Sequence, residues 1–168
     1  MRIATAAAGS SLFFALAPGV VAGVIPWWAT GWDAEPVWLP LRVLGALVLA
    51  AGAGVLVHAF ARFVAEGLGT PAPVAPTQHL VVGGLYRWVR NPMYVAVVSC
   101  VAGQALLFGS LGLALYAGGL LALFMAFVRG YEEPTLSRQF GSEYEAYCLA
   151  VPGWWPRARP APRPPRTS

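Results

Sequence analysis

The chain has 168 residues, of which 58% are apolar and only 11% charged. A soluble domain usually carries about 25% charged residues, so this composition excludes an ordinary water-facing surface and points to a bilayer. The net charge of +4 is carried by eleven arginines and no lysine. These lie at the ends of apolar runs rather than in one patch, which reads as membrane topology and excludes a nucleic-acid surface. Cys100 and Cys148 lack metal-like spacing, so neither a metal site nor a disulfide framework is expected. The absence of lysine beside abundant Ala, Gly and Pro suggests a bacterial source.

Four apolar runs follow in order, at residues 4–25, 39–63, 93–108 and 111–128. A spanning helix needs about 20 residues, which the first two satisfy; the last two are short and joined only by Gly109-Ser110, a link that predicts an antiparallel helical hairpin. The expected fold is therefore an all-α integral membrane protein with about four transmembrane helices and a C-terminal interfacial helix. Residues 1–156 are expected to form one domain. The first run resembles a signal peptide but is expected to be retained. With four spans and the N-terminus inside, every arginine except Arg42 falls on the cytoplasmic side, as the positive-inside rule asks. The expected location is the bacterial inner membrane, with both termini cytoplasmic.

Trp27, Trp28, Trp32 and Trp38 crowd the outer loop as an interfacial belt. Residues 66–77, rich in Gly and Pro, are expected to be extended. His58, Ser99 and Gln104 read as polar contacts between helices. After the fourth run, Glu133-Pro134 predicts a fresh helix start, and Leu136, Phe140, Tyr144 and Cys148 recur every four residues as one interfacial stripe. From Pro152 onward Pro and Arg alternate, and residues 157–168 are expected to form a disordered tail.

Polar residues are the informative ones in such a chain. They gather in two patches: Gln78-His79-Leu80-Val81 with 83–94, and 129–133. Asn91 suits a helix N-cap and Pro92 the first helical position. Read separately, Arg90-Asn91-Pro92 is a topological anchor with a cap, and Glu132-Glu133 is first-turn decoration. The hairpin returns the chain to the same membrane face, however, so both patches line one expected pocket.

The order Gly-x-Gly-Thr-Pro-x-Pro (Gly67 to Pro73), Leu80-Val81, and Gly-x-Tyr-Arg-x-Val-Arg-Asn-Pro-Met-Tyr (Gly84 to Tyr94) resembles the isoprenylcysteine carboxyl methyltransferase and phospholipid methyltransferase family. Glu132-Glu133, Phe140-Gly141, Tyr144, Tyr147 and Val151-Pro152 continue the resemblance. It implies an integral membrane enzyme using S-adenosylmethionine, with an isoprenylcysteine-type carboxylate or a phospholipid amine as acceptor. Cofactor contacts are then implied at Gln78, His79, Leu80, Val81, Tyr86, Asn91, Pro92, Met93, Tyr94 and Glu132, and Arg87 or Arg90 beside the helix start suits the cofactor carboxylate. Arg129 is implied to hold the acceptor; an amine acceptor also needs a general base, for which a glutamate of the pair, Glu133, or a tyrosine is suited. Asn91, where the carboxyl methyltransferases carry His, is similar to the phospholipid enzymes. The alternative is a non-catalytic membrane scaffold or a degenerate relative.

Overall fold

The computed structural model describes residues 16–67 and 79–162, without the side chains of 63–67. Among the described residues all regular structure is helical. Helix α1 is Leu16–Thr30, α2 is Leu39–Gly67, and a 3-10 turn occupies Gly84–Arg87. Helices α3 (Pro92–Phe108) and α4 (Leu111–Phe127) follow. A π turn, Val128–Glu132, leads into α5 (Glu133–Phe140), and α6 is Ser142–Ala150. Two helical runs, in α2 and through Leu111–Phe140, are long and apolar enough to cross a membrane; α1 and α3 are apolar but shorter. Leu47, Val57, Leu115 and Leu123 stand exposed on these helices, a surface that water would disfavour and lipid would cover.

The hairpin forms as its sequence requires. Gly109 takes a left-handed conformation after α3, and the Ser110 hydroxyl caps α4 by accepting from the Leu113 amide at 3.2 Å. The loop after α1 lies at this same end, where the Glu35 amide donates to the Phe108 carbonyl at 3.0 Å. Helices α2 and α3 meet almost backbone to backbone. A methyl at Gly45 would come within 2.5 Å of the Leu107 amide nitrogen, and one at Gly103 within 2.6 Å of that of Leu49. Small residues permit such an approach where packing, rather than water exclusion, drives helix association.

Prolines in α1 and α5 are absorbed by one device. In each case a π turn precedes the ring: the Ile25 amide reaches back five residues to the Val20 carbonyl before Pro26, and the Glu133 amide to Val128 before Pro134. The wider turn relieves the clash between a proline ring and the preceding turn. It also orphans two carbonyls, because proline has no N–H to offer. In α1 these belong to Val21 and Ala22. The Tyr116 hydroxyl donates to Val21 at 3.0 Å and the Gln104 amide to Ala22 at 2.6 Å. Gln104, only 4% exposed, accepts in turn from the Trp32 indole at 3.1 Å. It is thus the helix-to-helix contact expected of it, whereas the Ser99 hydroxyl bonds back to Val95 of its own helix. His58 is exposed and makes no hydrogen bond among the described residues.

Three expectations are corrected. The fourth apolar run does not stop for a new helix at Glu133; helix continues through the π turn to Phe140 because the extra residue accommodates Pro134. The interfacial stripe is not one helix, since Gly141 (φ +52°, ψ −126°) breaks it into α5 and α6. Of the tail expected to be disordered from 157, the described residues 157–162 instead pair with the box. The Arg157 amide donates to the Trp88 carbonyl at 3.0 Å, and Ala161, 2% exposed, donates to the Arg87 carbonyl at 2.9 Å while accepting from Arg87 Nε at 2.7 Å. Backbone pairing, which composition does not encode, turns this segment into a strap. The reading of 66–77 as extended falls mainly outside the described residues.

Gln104→Leu should destabilise the protein by about 1–3 kcal/mol, since it strands the Ala22 carbonyl and the Trp32 indole together. Tyr116→Phe, which strands one carbonyl, should cost less. Thermal unfolding in detergent checks the order, and equal losses would refute this accounting.

Candidate active site

The polar groups of the box Arg90-Asn91-Pro92-Met93-Tyr94 meet those of the acidic pair at one end of the hairpin. Tyr94, on the first turn of α3, donates its hydroxyl to Glu132 Oε2 at 2.9 Å. Arg90, just before the helix, forms an ion pair with Glu133 Oε1 at 3.1 Å. Two carboxylates adjacent in sequence are therefore held by two different groups of the box. The Tyr94 ring packs between Phe124 of α4, at 4.8 Å between centroids, and Trp154 of the strap, at 6.3 Å.

Asn91 occupies the N-cap position, but its side chain caps nothing. Its backbone amide donates to the Gly153 carbonyl at 3.2 Å and its side-chain amide to the same carbonyl at 3.0 Å. The Arg90 amide donates to the Pro152 carbonyl at 2.9 Å. The expected cap is thus replaced by a bridge to the strap, because Gly153 passes so close that a methyl there would lie 3.2 Å from the Arg90 guanidinium. Pro92, buried at the first helical position, fits its expected place.

Arg90 is the hub. Besides Glu133 it donates to the Cys148 sulfur and, at 3.5 Å, to the Tyr144 hydroxyl. Its Nε is buried without a partner among the described residues, a donor whose cost of burial asks for an acceptor. Tyr147 donates to the Tyr86 carbonyl at 2.7 Å, fixing the 3-10 turn from α6. Burial raises the Tyr144 and Tyr147 phenols above their ordinary pKa, so both stay protonated donors at neutral pH.

Of the residues singled out from sequence, Arg90, Asn91, Tyr94, Glu132 and Glu133 come together. Val81, Tyr86 and Met93 form an apolar wall with Ala59 of α2, and Leu80 is half-buried beside them in the chain. His79 and Arg129 are exposed and meet no partner among the described residues; Gln78 lies outside those residues. Trp154 and the Pro152 and Gly153 carbonyls were not singled out. Tyr144 and Cys148 were read as an apolar stripe, yet their polar tips face an arginine. The signal available for them was a stripe ending in hydroxyl and thiol groups.

Among the described residues, an all-helical fold with lipid-suited helices and a polar pole at one end suits a membrane protein. Comparison narrows it: residues 41–143 match the family described as phospholipid methyltransferase. This stretch runs from α2 through the acidic pair, and the chain belongs to that family. No curated protein matches it.

The strap lies wholly beyond the matched segment but closes the box. Ending the chain after Pro156 should free the Arg87–Trp88 peptide, which loses two backbone partners and the Arg87 side-chain anchor. Limited trypsin digestion should then cut at Arg87 faster than in the full chain; an unchanged rate would show that the strap does not shield it.

Proposed function

We propose that the protein is a bacterial inner-membrane methyltransferase with four spans and cytoplasmic termini, using S-adenosylmethionine to methylate a lipophilic or amphipathic acceptor. One observation carries the reading: the Tyr94–Glu132 hydrogen bond joins the box to the acidic pair inside the segment that matches the family. An anchor and a helix decoration with unrelated roles would have no reason to meet.

The groups present suit that cofactor, which has a carboxylate, an ammonium and a positive sulfonium. The unpartnered Arg90 Nε suits the carboxylate. Glu132 suits the ammonium or the ribose hydroxyls, and the ring faces of Tyr94 and Trp154 suit a sulfonium. Tyr86, Val81, Leu80, Asn91, Pro92 and Met93, with His79 and Gln78 at the rim, complete the wall in this reading. When bound, the cofactor supplies an electrophilic methyl group for in-line displacement.

The chain's contribution is alignment, which supplies roughly 7–11 kcal/mol in favourable cases. Arg129, exposed on the π turn, is placed to hold an acceptor's phosphate or carboxylate. Glu133, whose Oε1 pairs with Arg90, is the base that takes the proton from an amine acceptor; a carboxylate acceptor needs none. The phospholipid methyltransferase match favours the amine.

Isothermal titration of the detergent-purified protein should detect binding of S-adenosylhomocysteine, and Glu132→Ala should weaken it about tenfold, as expected for one charge-assisted hydrogen bond. Circular dichroism should show the variant still helical. No heat from folded protein at millimolar ligand would sink the reading. Incubation with radiolabelled donor and a host lipid extract should label the lipid fraction.

A further inference from the structure

The guanidinium of Arg90 is tied to both C-terminal helices. Its Nη2 pairs with Glu133 of α5 at 3.1 Å, and its Nη1 donates to the Cys148 sulfur and the Tyr144 hydroxyl of α6. With both outer nitrogens engaged, the group is fixed in orientation. Its Nε, buried without an acceptor among the described residues, has to be met where it stands.

The strap covers that nitrogen at Gly153. A methyl built there would lie 3.2 Å from Arg90 Nη2, 3.8 Å from Nε and 3.7 Å from Asn91 Nδ2. Gly153 therefore turns a bare Cα toward the Nε–Nη2 edge, while its carbonyl accepts from Asn91. Its φ is not left-handed, so the backbone does not call for glycine at this position. What matters is the missing side chain. The edge of a guanidinium is the part that grips a carboxylate, and a side chain at 153 would stand against it.

The covering segment is built to give way. Val151 and Ala161, 1% and 2% exposed, anchor its ends, whereas residues 155–160 between them are exposed. The next residue, Trp154, faces the Tyr94 ring. Consecutive strap residues thus lie over an arginine edge and an aromatic face, an order that suits a carboxylate and a sulfonium a few bonds apart.

We infer that Gly153 is the position that admits the donor's carboxylate. The carboxylate meets Arg90 Nε from the strap side, Gly153 shifts outward to receive it, and a side chain at 153 shuts it out. This rests on the donor reading proposed above, and adds to it a selectivity residue outside the stretch that matches the family.

The test is calorimetric binding of two ligands to the full chain in detergent: S-adenosylhomocysteine and its decarboxylated form, which keeps the ammonium and lacks the carboxylate. The unmodified protein should prefer S-adenosylhomocysteine by about tenfold, as expected for one charge-assisted hydrogen bond. Gly153→Ala should abolish that preference by weakening S-adenosylhomocysteine alone, with the decarboxylated ligand bound as before. Equal weakening of both ligands would mark Gly153 as merely structural and overturn the assignment, as would a preference that survives the substitution. A second measurement needs no variant to fold. Hydrogen exchange at the Arg90 and Asn91 amides, which donate to the Pro152 and Gly153 carbonyls, should be faster with S-adenosylhomocysteine bound than with the decarboxylated ligand. Equal exchange would refute the outward shift. If the folded protein binds neither ligand, the donor reading falls and this inference with it; if it binds both equally well, only the inference falls.

Discussion

Two adjacent carboxylates at the end of an apolar helix are the constraint around which one pole of this molecule is built. Glu132 and Glu133 follow a run with no other charge nearer than Arg129, and half-buried carboxylates are tolerated only with partners. Tyr94 answers one and Arg90 the other. Those two groups flank the start of α3, so satisfying the acidic pair also sets how α3 and α4 align at this end. The strap answers a further requirement, that the amides of Arg90 and Asn91 ahead of the helix find acceptors. What results is a compact polar cluster in which Arg90 Nε alone is a buried donor without a partner among the described residues.

The same accounting of backbone groups explains both prolines. Pro26 and Pro134 each sit just after a π turn, and each turn leaves carbonyls that the helix cannot serve. In α1, neighbouring helices supply Tyr116 and Gln104, as membrane helices with prolines generally require. Near Pro134 the corresponding residues Arg129 and Gly130 are exposed, so no side chain has to be recruited. One local device has two solutions, chosen by surroundings.

Helix α3 meets different partners on two of its sides. One carries Tyr94 toward the acidic pair; the other packs backbone to backbone on α2 at Gly45 and Gly103. The strap touches the first of these sides, through Trp154 on Tyr94.

Hydropathy and punctuation were sufficient to anticipate helices α2, α3 and α4, the Gly109-Ser110 hairpin, and the meeting of the box with the acidic pair. Burial of apolar side chains and the chirality of turns are local properties, written residue by residue. The order Arg90-Asn91-Pro92 also read correctly as a helix start. What Asn91 does there did not, because a cap is one option among several acceptors and Gly153 arrives from sixty residues away. The continuous helix past Glu133, the break at Gly141 and the ordered 157–162 strap escaped for the same reason. Each depends on which backbone groups are left unpaired once the helices are packed, and only the three-dimensional arrangement decides that.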